Sequence, residues 1–465
     1  MLTPERTGLL KSFLGGLPEQ IAARLAQAVE ADRLVDGKSL PHEMILEGLR
    51  PALRRTAGAD RTPTPLRAFC LPFEDLFTLL PRKTKQKGSI ARGSVTPIWA
   101  FISQTLLVEQ SKDFIRDFRA LVLAGRQAEA RARAAAFWPV AAAALGSAVA
   151  DVRKSRVALG SELVVADAAE MALLLGVGPD VVDIQNLLPR LVPSLTDELL
   201  WSLRKIYDRL AANTPDAAPY VAVIAMHRLA RPWEALKLPL LVSRQTQDTL
   251  ISSTDMGLVG EILFGEIENH GNAVRAVKPP NFDAVQLLDS LTRFTMLSSG
   301  IVKGIDMRRD GKWGQRLMKD RAALAEVMDG FMERAPKEMS AALPLQKSGS
   351  FGGGPKYPDF TKPIDSEKSE RALRYARLVA GCKTFAAAAS FGATQKKADE
   401  EMCQLLRTYN EDVVKELRTA DGARRAVVES QFEVVSALTA ILFSEEEADL
   451  LRRRGKAAIQ AAAAA

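Results

Sequence analysis

"TDELLWSLRKIYDRL", residues 196–210, reads as an amphipathic helix from end to end. Thr196 is placed to cap its start, because a threonine hydroxyl accepts a hydrogen bond from an amide in the first turn. Asp197 and Glu198 follow, where the positive end of the helix dipole favours acids. Leu200, Leu203, Tyr207 and Leu210 recur every three or four residues and predict a core-facing stripe.

The same grammar extends in both directions. In 107–122, Leu107, Phe114, Phe118 and Leu121 share one face, and Lys112, Asp113, Arg116 and Asp117 fall elsewhere. "PYVAVIAMHRLA" opens at Pro219, a residue tolerated in a first helical turn. Asn281 is the expected cap of a helix with Leu288 and Leu291 inward, and Leu317, Leu324, Met328 and Phe331 line another. Near the N-terminus, Pro18 precedes Ile21, Leu25 and Val29 at helical spacing. Near the C-terminus, Ser444 and Glu447 form a capping-box pattern, with Arg452 to Arg454 in a last turn and Gly455 as the stop. The closing "AAIQAAAAA" (457–465) is expected to fray.

Alanine, leucine and arginine are abundant, and aromatic residues make up only 6% of the 465 positions, so helix outweighs sheet throughout. The fold class is therefore all-α: a multi-helix bundle or an irregular stack of helical hairpins, with a C-terminal helical bundle after a Gly/Pro-rich linker. Short turns such as "GVGPD" (176–180), "ANTPDAAP" (212–219) and "RPWEALKLP" (231–239) favour antiparallel neighbours, yet no fixed repeat period emerges. The chain divides into an N-terminal helical segment (1–60), a Pro-containing and basic connector (61–105), a main helical domain (106–342), a flexible linker or long loop (343–366) and a C-terminal helical domain with a frayed tail (367–465).

The net charge of +7, from 63 basic and 56 acidic residues, is small for this length and leans only weakly towards anionic partners. Cys70, Cys382 and Cys403 form no C-x-x-C pair and leave an odd one over, which argues against a disulfide scaffold. Glu5 interrupts any leader-like apolar run, and "AAAFWPVAAAALGSAVA" (134–150) is short and broken by Pro139. A cytoplasmic chain without membrane insertion is expected, and the alanine- and arginine-rich composition suggests a bacterial one.

Catalytic signatures are sparse. The histidines are His42, His227 and His270, without an H-E-x-x-H pair. Glu266 and His270 in "GEIENHGN" share a face at i, i+4 with Glu268 nearby, which is half a metal site, and the flanking glycines suggest that the helix ends there. His227 reads as a partly buried core histidine. "GSFGGGPK" (349–356) puts Pro355 where a P-loop needs lysine, and no G-x-G-x-x-G joins a strand to a helix. Glu74 and Asp75 are adjacent, which does not place them on one face. No catalytic residue, cofactor or metal is assigned.

Two basic segments stand out. "LLPRKTKQKGSIARGSVTPIW" (79–99) carries Arg82, Lys83, Lys85, Lys87 and Arg92 with no acid between Asp75 and Glu109. Its Gly88 and Gly93 let backbone amides approach an anion. "KGIDMRRDGKWGQRLMKDR" (303–321) sets Arg308, Arg309, Lys312 and Arg316 around Trp313, where the indole either stacks on a base or anchors in the core. The leading expectation is a non-enzymatic helical scaffold or adaptor that binds a protein partner, with an acidic one suited to the connector. The alternative is a nucleic-acid or other polyanion-binding protein using 82–92 and 303–321. A motif-free enzyme comes third.

Overall fold

The structure is a computed structural model that describes residues 63–78, 84–189, 191–243, 257–305, 307–308, 310–347 and 356–464, with scattered positions between Leu10 and Leu49. Seventeen α-helices and four short strands account for most of these residues, an all-α fold. The chain separates into two compact units, Met1–Ala230 and Arg231–Ala465. That boundary falls inside the stretch 106–342, where no Gly/Pro-rich linker marks it.

In the first unit, α1 (Pro65–Cys70) leads through a 3-10 turn (Leu71–Leu76) into β1 (Phe77–Thr78). β2 (Ile90–Ala91) lies parallel to β1, with Phe77 opposite Ile90 and Thr78 opposite Ala91. Then come α2 (Val95–Phe101), a π-helical turn (Ile102–Leu106), α3 (Val108–Leu123), α4 (Gln127–Val149), α5 (Val152–Leu159) and α6 (Glu162–Gly176). The last three are α7 (Gly178–Leu187), α8 (Asp197–Asn213) and α9 (Tyr220–Arg228).

Aromatic packing joins these elements. Phe114 of α3 stacks on Phe137 of α4, with centroids 4.5 Å apart and planes 2° from parallel. Trp99 of α2 lies 4.8 Å from Phe69 of α1, which seats α2 against α1. α4 runs straight through Pro139, which faces solvent, while Phe137 and Trp138 are buried. Trp138 packs so closely on Gly178 that a β-carbon there would sit 2.5 Å from its ring. By length and composition α4 could span a membrane, a test that core helices of soluble proteins also pass.

Thr196 caps α8 by accepting from the Leu199 amide at 3.4 Å, as its sequence predicts. Leu203 and Leu210 of the expected stripe are buried, Ile206 joins them, and Leu200 and Tyr207 are half-buried. α9 is buried at every position except His227, whose side chain reaches solvent although its surroundings are desolvated enough to push the imidazole pKa down. Of the N-terminal stripe, Val29 is buried and Leu25 packs against the cluster of Leu14, Ala22 and Leu49, whereas Ile21 is 53% exposed. Pro18 lies outside the described residues.

The second unit begins with a 3-10 turn (Pro232–Leu236), α10 (Lys237–Ser243), α11 (Leu258–Ala276), α12 (Ala284–Gly304) and α13 (Lys312–Ala342). A hairpin follows, β3 (Leu345–Lys347) antiparallel to β4 (Lys356–Pro358), with Gln346 opposite Tyr357. α14 (Ser366–Cys382), α15 (Gly392–Glu416), α16 (Gly422–Leu442) and α17 (Glu445–Ala464) complete the unit. Leu317, Leu324, Met328 and Phe331 of α13 are all buried, and Phe331 and Tyr375 both pack on Phe282 at 5.0 Å.

Three local expectations change. The cap of α12 is Asp283, which accepts from the Val285 and Gln286 amides, rather than Asn281. Gly455 does not end a helix, since α17 continues through it to Ala464; its missing side chain instead admits the Phe432 ring. The Gly/Pro-rich segment 343–366 has two paired arms fastened to α15 and α16. Gln431 donates to the Asp359 and Lys362 carbonyls at 3.0 and 2.8 Å, and the Tyr409 hydroxyl lies 3.0 Å from the Pro344 carbonyl. Residues 348–355, most of the stretch compared with a P-loop, lie outside the described residues.

Candidate functional site

Of the three acids on α6, Glu162 is exposed in the first turn and the other two are buried. Asp167 and Glu170, three residues apart, share one face of the helix and are only 1% and 6% exposed. Buried carboxylates demand donors. Here the donors come from the connector that crosses α6.

Lys85 donates to Asp167 at 2.6 Å, to Glu170, and to the Ser89 carbonyl at 2.7 Å. The Gly88 amide donates to Glu170 at 2.6 Å. It can do so because Gly88 adopts φ = 82°, a left-handed conformation that glycine takes without strain. The Ala91 amide and the Ser94 hydroxyl donate to Asp167 at 3.1 and 2.7 Å. From α9, the Tyr220 hydroxyl donates to Glu170. Burial, reinforced by the Glu170 charge, pushes the Tyr220 phenol well above its ordinary pKa, so it stays a donor.

A second cluster of opposite polarity sits at the other end of α9. Arg228 donates to Asp75 at 2.8 Å and lies 3.6 Å from Glu74. Its remaining donors reach the Gln185 and Leu188 carbonyls at 3.3 and 3.0 Å. Gln185 closes the group by donating to the Leu71 carbonyl at 2.9 Å and to Asp75 at 3.1 Å. Segments 71–78 and 84–94 are thus gripped, the first through an acid and the second through a lysine. Both clusters surround their charges with protein donors and acceptors, and what they do chemically is hold backbone in place.

The basic residues singled out by sequence fare unevenly. Arg82, Lys83 and Arg309 lie outside the described residues. Lys85 is taken up by the α6 carboxylates, its side chain 20% exposed. The connector is therefore not uncompensated: its counter-charges lie 82 and 85 residues downstream. Lys87 and Arg92 are exposed, with Lys87 6.0 Å above the Tyr220 ring and Arg92 5.9 Å from the Phe77 ring.

In the second unit, Trp313 is fully buried, its indole N–H donating to Glu261 at 3.0 Å. Lys312 reaches Glu261 at 3.0 Å, and Arg316 reaches Glu261 and Glu268 at 3.1 and 2.8 Å. Arg308 pairs with Asp310 at 2.8 Å. Burial alone would raise the Glu261 pKa, but the hydrogen bonds from Trp313 and Lys312 and the adjacent cations hold it below the usual carboxylate range.

α11 runs unbroken through Glu266 and His270, so the flanking glycines do not end it. Burial pushes the Glu266 carboxyl up; burial and then Arg293 push the His270 imidazole down. Among the described residues, no group of three or more histidine, cysteine, aspartate or glutamate side chains is arranged to hold a metal. His42 is buried and partnered. Cys70, Cys382 and Cys403 are buried free thiols, and burial pushes those of Cys70 and Cys382 up to about 12.

Sequence reading missed Asp167, Glu170, Tyr220 and Arg228. The available signal was two acids three apart in "VVADAAEMALLLG" (164–176), a run otherwise too apolar for a solvated face. Comparison of the chain with known protein families, with curated proteins and with solved structures finds no match.

Proposed function

We propose that this protein is a helical scaffold or adaptor that binds another protein, and that α8 belongs to the surface it uses. The observation that carries this reading is Trp201, which is 57% exposed on that helix. Tryptophan is highly buried on average and is among the residues most enriched at the energetic centres of protein interfaces. Asp197 and Glu198, exposed one turn earlier on the same face, give it a polar rim.

The test is affinity capture from the native host under crosslinking, with wild-type protein and Trp201→Glu compared quantitatively. The reading expects at least one protein recovered near stoichiometrically with wild type and lost with the variant, while the variant keeps its helical circular dichroism. Recovery of no such protein across several growth states sinks it.

The polyanion alternative rests on Lys87 and Arg92, the exposed basic residues among those described in 82–92. It is weakened by the engagement of Lys85, Lys312 and Arg316 with carboxylates. Lys87→Ala with Arg92→Ala should reduce retention on heparin if it holds, since each phosphate contact releases counterions. Unchanged retention removes it.

A further inference from the structure

We infer that residues 84–91 are a strap that opens as a unit, independently of the helices beneath it, and that Lys85 with Asp167 and Glu170 is its catch. The inference starts from what the strap lacks. Its sequence, "TKQKGSIA", is polar, and Ile90 is its one buried large apolar side chain. Its strand contact with β1 spans only two residue pairs. Segments with few buried apolar contacts open at free energies far below that of global unfolding.

What the strap does have is concentrated in one place. Lys85, Gly88 and Ala91 all donate to the two carboxylates of a single turn of α6, and Ser94 just beyond the strap does the same. The carboxylates belong to a helix packed on both sides; the lysine belongs to the strap and reaches solvent with a fifth of its side chain. The attachment is polar, short-ranged and released together. If the lysine leaves, the amides that it aligns lose their register with it. Tyr220 stays on Glu170 when the strap leaves, because it comes from α9, so the helical layer keeps part of its own compensation.

Native-state hydrogen exchange on the full chain tests this at individual amides. In wild type, the Gly88 and Ala91 amides are expected to exchange at least ten times faster than those of Leu174 and Leu175 in α6. Low denaturant should leave the strap rates unchanged and raise the α6 rates. Glu170→Gln keeps an acceptor for Gly88 and Tyr220 but removes one of the two charges facing Lys85, leaving Asp167. A hydrogen bond to a charged group is stronger than a neutral one by an amount that translates to roughly tenfold to hundredfold faster strap exchange, with α6 unchanged. Trypsin should then cut after Lys87 in the variant before any other change. Exchange of Gly88 and Ala91 at the rates and denaturant dependence of Leu174 and Leu175 overturns the inference, and the wild-type measurement alone decides this if the variant does not fold.

Discussion

Asp320 shows how a single buried group can set a pH dependence. It is 8% exposed on α13, one carboxylate oxygen has no hydrogen-bond partner, and the nearest Arg275 nitrogen is 4.0 Å from the other. Burial raises its pKa, Glu268 adds to the rise, and Arg275, Arg316 and Lys319 oppose it without cancelling it. The sign follows from linkage. A carboxyl that holds its proton more tightly folded than unfolded costs nothing when protonated in both states. Its penalty appears as pH rises through the unfolded value, near ~3.9, towards the folded one. Asp320→Asn should therefore raise unfolding stability at pH 7 by about 1 kcal/mol, and the gain should vanish near pH 3. Urea melts at the two pH values check this, and equal midpoints at pH 7 would refute it. Arg228 makes the contrasting case, because its removal leaves Asp75 buried without its cation. Arg228→Met should cost about 3 kcal/mol in the same assay. None of this was legible in the sequence. Both effects depend on partners brought from other helices, and residue type alone does not reveal burial.

At the scale of elements, the sequence is legible where the signal is local. Thr196 caps α8, Ser444 accepts from the Glu447 amide at 3.2 Å, and α13 buries every residue of its expected stripe. A cap and the stripe beside it depend on neighbours within a turn or two, so propensity and spacing suffice. It is illegible where a residue serves a distant neighbour. Gly455 resembles a helix stop, but a β-carbon there would lie 2.3 Å from the Phe432 ring. Alanine normally stabilises a helix interior relative to glycine by ~1 kcal/mol. Gly455→Ala should instead lower stability by about 1–3 kcal/mol through overpacking, visible as a lower thermal midpoint. A raised midpoint would show that Phe432 moves aside freely.

For the whole molecule, the composition favours helices and helices are what form, while the boundary between the two compact units carries no compositional mark. The strongest compositional break, 343–366, became a hairpin fastened by Gln431 and Tyr409. The unit boundary at Ala230 carries no such break. Polar loops are legible as loops; which helices share a core is decided by side chains tens of positions to more than a hundred positions apart. If the two units carry their own cores, a chain comprising residues 231–465 should be helical and melt cooperatively. A non-cooperative melt of that chain would refute the division.

The two ends of α9 have a consequence in the language of heredity. Tyr220 marks the end where Glu170 and Asp167 receive Lys85, and Arg228 the end where Asp75 and Glu74 are received. Loss of charge in either group is tolerable only when its partners lose theirs with it, since the Gly88 and Ala91 amides on one side and the Gln185 and Leu188 carbonyls on the other bar a reversal of sign. A library randomised at positions 75, 85, 167, 170 and 228 and selected for soluble protein should return linked genotypes, with 85 tracking 167 and 170, and 75 tracking 228. The two groups should drift independently of each other, two small alleles written into one segment of chain.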